Sequence, residues 1–74
     1  MMIYKVSYVI PNHAHPGAIV NQTTMPYVGE KVRLGDVWCE IIETKDLLPP
    51  HGEFAYIHVT CRVVPAPEPN IVSP

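Results

Sequence analysis

Two histidines in the stretch HAH, His13 and His15, are the first residues in the chain whose type and spacing could support chemistry. Residues i and i+2 of an extended segment point the same way, so both imidazoles could bind one metal ion. An HxH pair alone is weak evidence, and the next acidic residue is as far along the chain as Glu30. We therefore assign no metal and no cofactor. His13 and His15, with His58 in addition, are kept as candidates for a small metal-dependent or oligomeric enzyme.

The two cysteines, Cys39 and Cys61, are the second candidates for chemistry. They form no CxxC pair, and His58 lies three residues before Cys61, which places the two on opposite faces of a strand. A Cys–His catalytic pair is therefore not expected. We predict buried, reduced thiols in a cytoplasmic protein, with a redox-sensitive bridge between them as the alternative.

Trp38 marks the third candidate, which is a surface rather than a reactive group. Gly35 and Asp36 are typical of a two-residue hairpin turn, which places Trp38 opposite Arg33. Apolar side chains of the two strands then share one side, and charged and aromatic side chains share the other. The remaining pairs in this register are Leu34 with Val37, Val32 with Cys39, and Lys31 with Glu40.

A second hairpin adds to this surface if its loop is centred on Pro50. That register pairs Cys39 with Cys61, Ile41 with Val59, and Trp38 with Arg62. Aromatic and basic side chains are typical of interface centres, so we predict a non-enzymatic interaction module that self-associates through this surface. Coverage of Trp38 by another part of the chain and stacking of single-stranded bases on it remain alternatives. The predicted binding surface consists of Arg33, Trp38, Tyr56, His58 and Arg62.

Composition limits the class of partner. The 74 residues carry a net charge of −2, which argues against a binder of duplex nucleic acid. No apolar stretch is long enough to span a membrane, and we expect no secretory signal at the N-terminus. The resulting expectation is a homo-oligomer, or a protein with a protein partner, in the cytoplasm.

Apolar alternation predicts five short strands, at residues 2–10, 18–22, 30–34, 37–44 and 54–64. Prolines and glycines predict loops at 11–17 and 45–53, the second because of Pro49 and Pro50. Four prolines in the last ten residues predict an extended, disordered tail at 65–74. Residues 1–64 are therefore the predicted domain.

The stretch VGEKVRLGDVWCEIIE, residues 28–43, resembles the strand-turn-strand pattern of small SH3-like barrels. The resemblance implies a five-stranded, strongly bent antiparallel sheet that closes into a small barrel, and it implies no activity. We therefore predict an all-β fold of this SH3-like or related kind. Its predicted core consists of Val6, Tyr8, Ile19, Val32, Leu34, Val37, Cys39, Ile41, Ile57, Val59, Cys61 and Val63.

Overall fold

The computed structural model describes residues 1–67, apart from the side chains of residues 48–51. The described chain is all-β, as predicted, and has five strands. Residues 65–67 have no regular secondary structure, and the rest of the predicted tail, residues 68–74, lies outside the described residues. The strands are β1 (Ile3–Val9), β2 (Ala18–Gln22), β3 (Lys31–Leu34), β4 (Val37–His51) and β5 (Phe54–Val63).

The five strands form one sheet in the order β2-β1-β5-β4-β3, and the sheet curls into a half-barrel. Three of the four neighbouring pairs are antiparallel, but β1 and β5 run parallel, with Val6 beside Ile57. The prediction of a wholly antiparallel sheet was therefore wrong at this pair. The chain returns to β1 only after the long β4–β5 hairpin, and β5 then runs in the direction of β1.

The inner, concave face of the sheet holds the core. Val6, Ile41 and Val59 have no exposed surface, and on β5 every second residue from Ala55 to Cys61 is buried. The predicted core is largely confirmed, with Val32 and Val37 packed at its margin. Two members were wrong, because Ile19 is 71% exposed and Val63 is 44% exposed. Ile19 lies on an edge strand and points to the outer face, opposite Ser7.

The β3–β4 hairpin has the predicted register. Lys31 pairs with Glu40 and Arg33 with Trp38 across the strands. Gly35 adopts a positive φ of 64°, which a primed two-residue turn requires and which glycine adopts without steric cost. The turn chemistry therefore sets the position of Trp38 on the outer face.

The β4–β5 hairpin differs from its prediction. The segment expected to be a loop, residues 45–53, instead extends β4 as far as His51, and the turn falls at Gly52 and Glu53. Within residues 1–67, no strand lies beside β4 beyond Ile41 on the edge away from β5. Prolines at that edge therefore remove no hydrogen bond between strands. The register between β4 and β5 shifts at three places, so that β4 has more residues than the stretch of β5 that it pairs with. As a result Cys61 lies opposite Ile41 rather than Cys39.

The loop between β1 and β2 depends on a close approach of two backbone segments. Gly17 has a φ of 80°, and a Cβ at this position would lie 2.2 Å from the carbonyl oxygen of Tyr8. Only glycine fits so close to the end of β1. The loop therefore reverses tightly and brings β2 back alongside β1.

Candidate binding face on the outer surface of the sheet

The outer face is the convex side of the sheet, opposite the core. All five predicted surface residues lie on it, because each alternates along its strand with residues of the inner face. On β5, Tyr56, His58 and Arg62 alternate with the buried Ile57, Val59 and Cys61. Trp38 precedes the buried Cys39, and Arg33 precedes the buried Leu34.

These residues share a face without forming a compact cluster. Trp38 lies opposite Val64, whose N–H donates to the carbonyl oxygen of Trp38 at 2.9 Å. Tyr56 lies eight residues earlier on the same chain, about 26 Å away along an extended strand at ~3.3 Å per residue. Arg33 is grouped with Trp38 at one end of the face, and Tyr56 with His58 near the other.

Trp38 is partly buried, and its cross-strand neighbour is Arg33. The Nε of Arg33 donates a hydrogen bond to the carbonyl oxygen of Gly35 at 2.7 Å. This bond fixes the guanidinium beside the hairpin turn. The Arg33 charge is therefore held at the end of the face that carries the indole.

Arg62 contacts Glu40 rather than Trp38, which corrects the predicted pairing. Its Nη2 donates to Oε1 of Glu40, and Nζ of Lys31 lies 3.7 Å from Oε2 of the same carboxylate. The hydrogen bond from Arg62, followed by the nearby positive charges, lowers the pKa of Glu40. The carboxylate thus partly neutralises two cations in the middle of the face.

All five lysines and arginines of the sequence are exposed on the outer face. Three of them, Lys5, Lys31 and Lys45, were not among the predicted site residues. Lys5 pairs with Tyr56, and Lys45 pairs with His58. Among the carboxylates of the five described strands, only Glu40 and Glu43 share this side, so the strands present more positive than negative charge on it, although the whole chain has a net charge of −2. The cations on it are Lys5, Lys31, Arg33, Lys45 and Arg62.

Strand alternation in the sequence was sufficient to place Lys5 on this face, since it separates Lys5 from Val6 and Tyr8. Strand alternation did not place Lys45, because Pro49 and Pro50 indicated that residues 45–53 form a loop. The charge of the face was therefore evident only in part from the sequence.

The two loop histidines use one nitrogen each within the loop. Nδ1 of His13 accepts a hydrogen bond from the N–H of His15 at 3.0 Å, and Nδ1 of His15 accepts one from Gly17 at 2.9 Å. Only Nε2 of each imidazole is left for a metal ion. Among the residues that the structure describes, no group of three or more His, Cys, Asp or Glu side chains is placed to hold one.

The two cysteines are buried and unbridged. Burial is the main cause that raises the pKa of Cys39, and burial followed by the neighbouring Cys39 raises the pKa of Cys61 to about 11. Both thiols are therefore protonated at neutral pH, which makes them poor nucleophiles. Their positions fit a packing role in the core.

An open cleft of about 270 Å³ lies between the two edge strands, β2 and β3. Its polar groups bond to each other: the hydroxyl of Tyr8 donates to Oε1 of Gln22 at 2.8 Å, and Nε2 of Gln22 donates to the carbonyl oxygen of Thr24 at 2.7 Å. No buried side-chain polar atom in the described residues lacks a partner. Tyr8 and Gln22, the two polar side chains joined at this cleft, are therefore already hydrogen-bonded within the protein.

No protein-family model, curated protein or solved structure matches this chain. The described residues contain no helix that could cross a membrane.

Proposed function

We propose that the protein is a non-enzymatic binding module whose outer face contacts an anionic macromolecule. The observation that supports this proposal is the concentration of all five cationic side chains on the face that also carries Trp38. Opposite charge on a partner steers its approach and selects its orientation. Reduced core thiols fit a cytoplasmic location, which belongs to the same proposal.

The sequence-based prediction of self-association through this face is a second possibility that the charges disfavour. A symmetric dimer places the same patch of both copies in contact. The outer face of one copy, with five cations and two carboxylates, would then contact the same charges on the other copy. Like charges across an interface reduce affinity. An anionic partner meets no such repulsion.

Retention on heparin tests the proposal, because heparin is a generic polyanion. A protein of net charge −2 should elute early unless its positive charge is concentrated on one surface. We expect retention at low ionic strength and elution as salt screens the interaction. The double variant K5Q/K45Q should elute earlier, since both side chains are exposed and form no ion pair in the described structure.

The control variant T23E/M25E changes the net charge by the same amount at exposed positions between β2 and β3. It should elute close to the unmodified protein. Equal loss of retention in both variants would show that net charge decides the result, and the proposal would fail. Light scattering on the same samples tests the dimer, which the proposal predicts to be absent.

A further inference from the structure

Aromatic rings and cations form pairs along the outer face. The pairs follow the length of β5 and its neighbours, so they make a line and not a cluster. Three rings have a cation at the adjacent position of a neighbouring strand, close enough for the two to act on one ligand group, whereas the exposed Phe54 of the same face pairs with Ile3 and His51. The three pairs are Tyr56 with Lys5, His58 with Lys45, and Trp38 with Arg33.

We infer that this line of ring-and-cation pairs is a binding site for single-stranded nucleic acid. The inference rests on the proposed function, since it names the anionic partner of the same face. A base can stack on each ring while the neighbouring cation meets a phosphate. The separation of about 26 Å between Tyr56 and the end of the face at Trp38 suits an extended strand of several nucleotides.

The shape of the face favours a single strand over a duplex. The sheet curls towards its core, so the outer face is convex. A duplex is a stiff rod whose bases are stacked inside, and it would touch a convex surface over a small area and leave the rings without a base to stack on. A flexible single strand can follow the curve and offer its bases.

The rings also distinguish nucleic acid from an acidic protein. Carboxylates on a protein would account for the cations, whereas the repetition of a ring beside a cation matches the repeating base and phosphate of a nucleic acid. The face of every base can stack on tyrosine, histidine or tryptophan, without a particular sequence. The pairing of the two residue types therefore favours nucleic acid, and an acidic polypeptide becomes a competing outcome of the test.

Fluorescence anisotropy of a labelled oligodeoxythymidine of about twelve nucleotides tests the inference. We expect binding that weakens steeply with salt, and weaker binding of a duplex of the same length. Trp38→Leu and Tyr56→Leu, at opposite ends of the face, should each weaken oligonucleotide binding about tenfold. Tyr27→Leu is the matched control, because Tyr27 is 63% exposed in the segment between β2 and β3 and belongs to none of the three ring-and-cation pairs.

Circular dichroism identifies any variant that fails to fold. Because Trp38→Leu and Tyr56→Leu lie at separate ends of the face, one of them still tests the inference if the other does not fold. Equal binding of duplex and single strand, an equal loss in Tyr27→Leu, or tighter binding of polyglutamate would overturn the inference. If heparin retains the protein and the oligonucleotide does not bind, this inference fails while the proposed function survives. If neither ligand binds, both fail.

Discussion

Gly17 lies against the carbonyl group of Tyr8, so close that a Cβ on Gly17 would be 2.2 Å from the oxygen. The contact joins the end of β1 to the start of β2. Because Tyr8 is also a core residue, 4% exposed, the backbone at this point cannot move without disturbing the packing of the inner face.

Gly17→Ala is therefore expected to lower the free energy of unfolding by about 3 kcal/mol, from a steric clash added to strain at positive φ. Gly29→Ala is the matched control: Gly29 also has a positive φ, of 94°, but a Cβ there has no heavy atom within 4 Å. Its cost should be about 1 kcal/mol. Urea unfolding followed by circular dichroism measures both. Equal losses would mean that the approach to Tyr8 does not constrain the loop.

Oxidation should not bridge the two cysteines of the folded protein. Cys39 lies opposite Val63 and Cys61 opposite Ile41, so the thiols are diagonal neighbours. Diagonal positions are about 7–8 Å apart, beyond the usual Cα separation of a disulfide. Formation of a disulfide removes two hydrogens from the protein. After diamide treatment, mass spectrometry should show no such loss for the folded protein in buffer, and should show it for the protein unfolded in urea. A bridge formed rapidly in buffer would contradict the observed register.

Stability should fall as the pH rises from about 9 to about 11. The pKa of Cys61 is raised from 9.0 to about 11, so the unfolded chain loses this proton first. The resulting stabilisation is fully present below pH 9 and is lost as the pH passes through 11, about 2 to 3 kcal/mol for this group. Tyr8 and Cys39, whose pKa values are also raised by burial, contribute in the same direction.

Cys61→Val isolates the contribution of Cys61, because valine fills similar space on a strand and does not titrate. Denaturant unfolding at several alkaline pH values should give a shallower decline for the variant than for the unmodified protein. Identical slopes would show that the thiol of Cys61 ionises as easily in the folded chain as in the unfolded one.

Glu40→Gln should strengthen binding to polyanions. Glu40 contacts both Arg62 and Lys31, so its removal frees two cations on the outer face. Asp46→Asn changes the net charge equally at a position that pairs with Ile57 of the inner face. We expect later elution from heparin for Glu40→Gln than for Asp46→Asn. Indistinguishable elution would argue that the ion pairs around Glu40 do not modulate this face.

The β3–β4 hairpin could be predicted from the sequence because its register depends on local chemistry. Gly35 and Asp36 specify a two-residue turn, and a slip of one residue would move every apolar side chain to the wrong face. Trp38 and Arg33 were therefore placed correctly as cross-strand neighbours.

The remaining pairings are not encoded locally. The parallel contact between β1 and β5 joins residues about fifty positions apart, and no turn sets its register. Pro49 and Pro50 are typical of a loop, but an unpaired strand edge accepts them, and the hairpin turn moved to Gly52. This shift moved Arg62 from Trp38 to Glu40 and brought Lys45 onto the outer face.

Quenching of Trp38 fluorescence by ions reports the charge around the indole, since Trp38 is the single tryptophan of the chain. The indole is partly exposed on the positive outer face, opposite Arg33. Iodide, which is attracted by that charge, should quench it more effectively than caesium at equal ionic strength. Stronger quenching by caesium, or no quenching by either ion, would contradict a cationic binding face around Trp38.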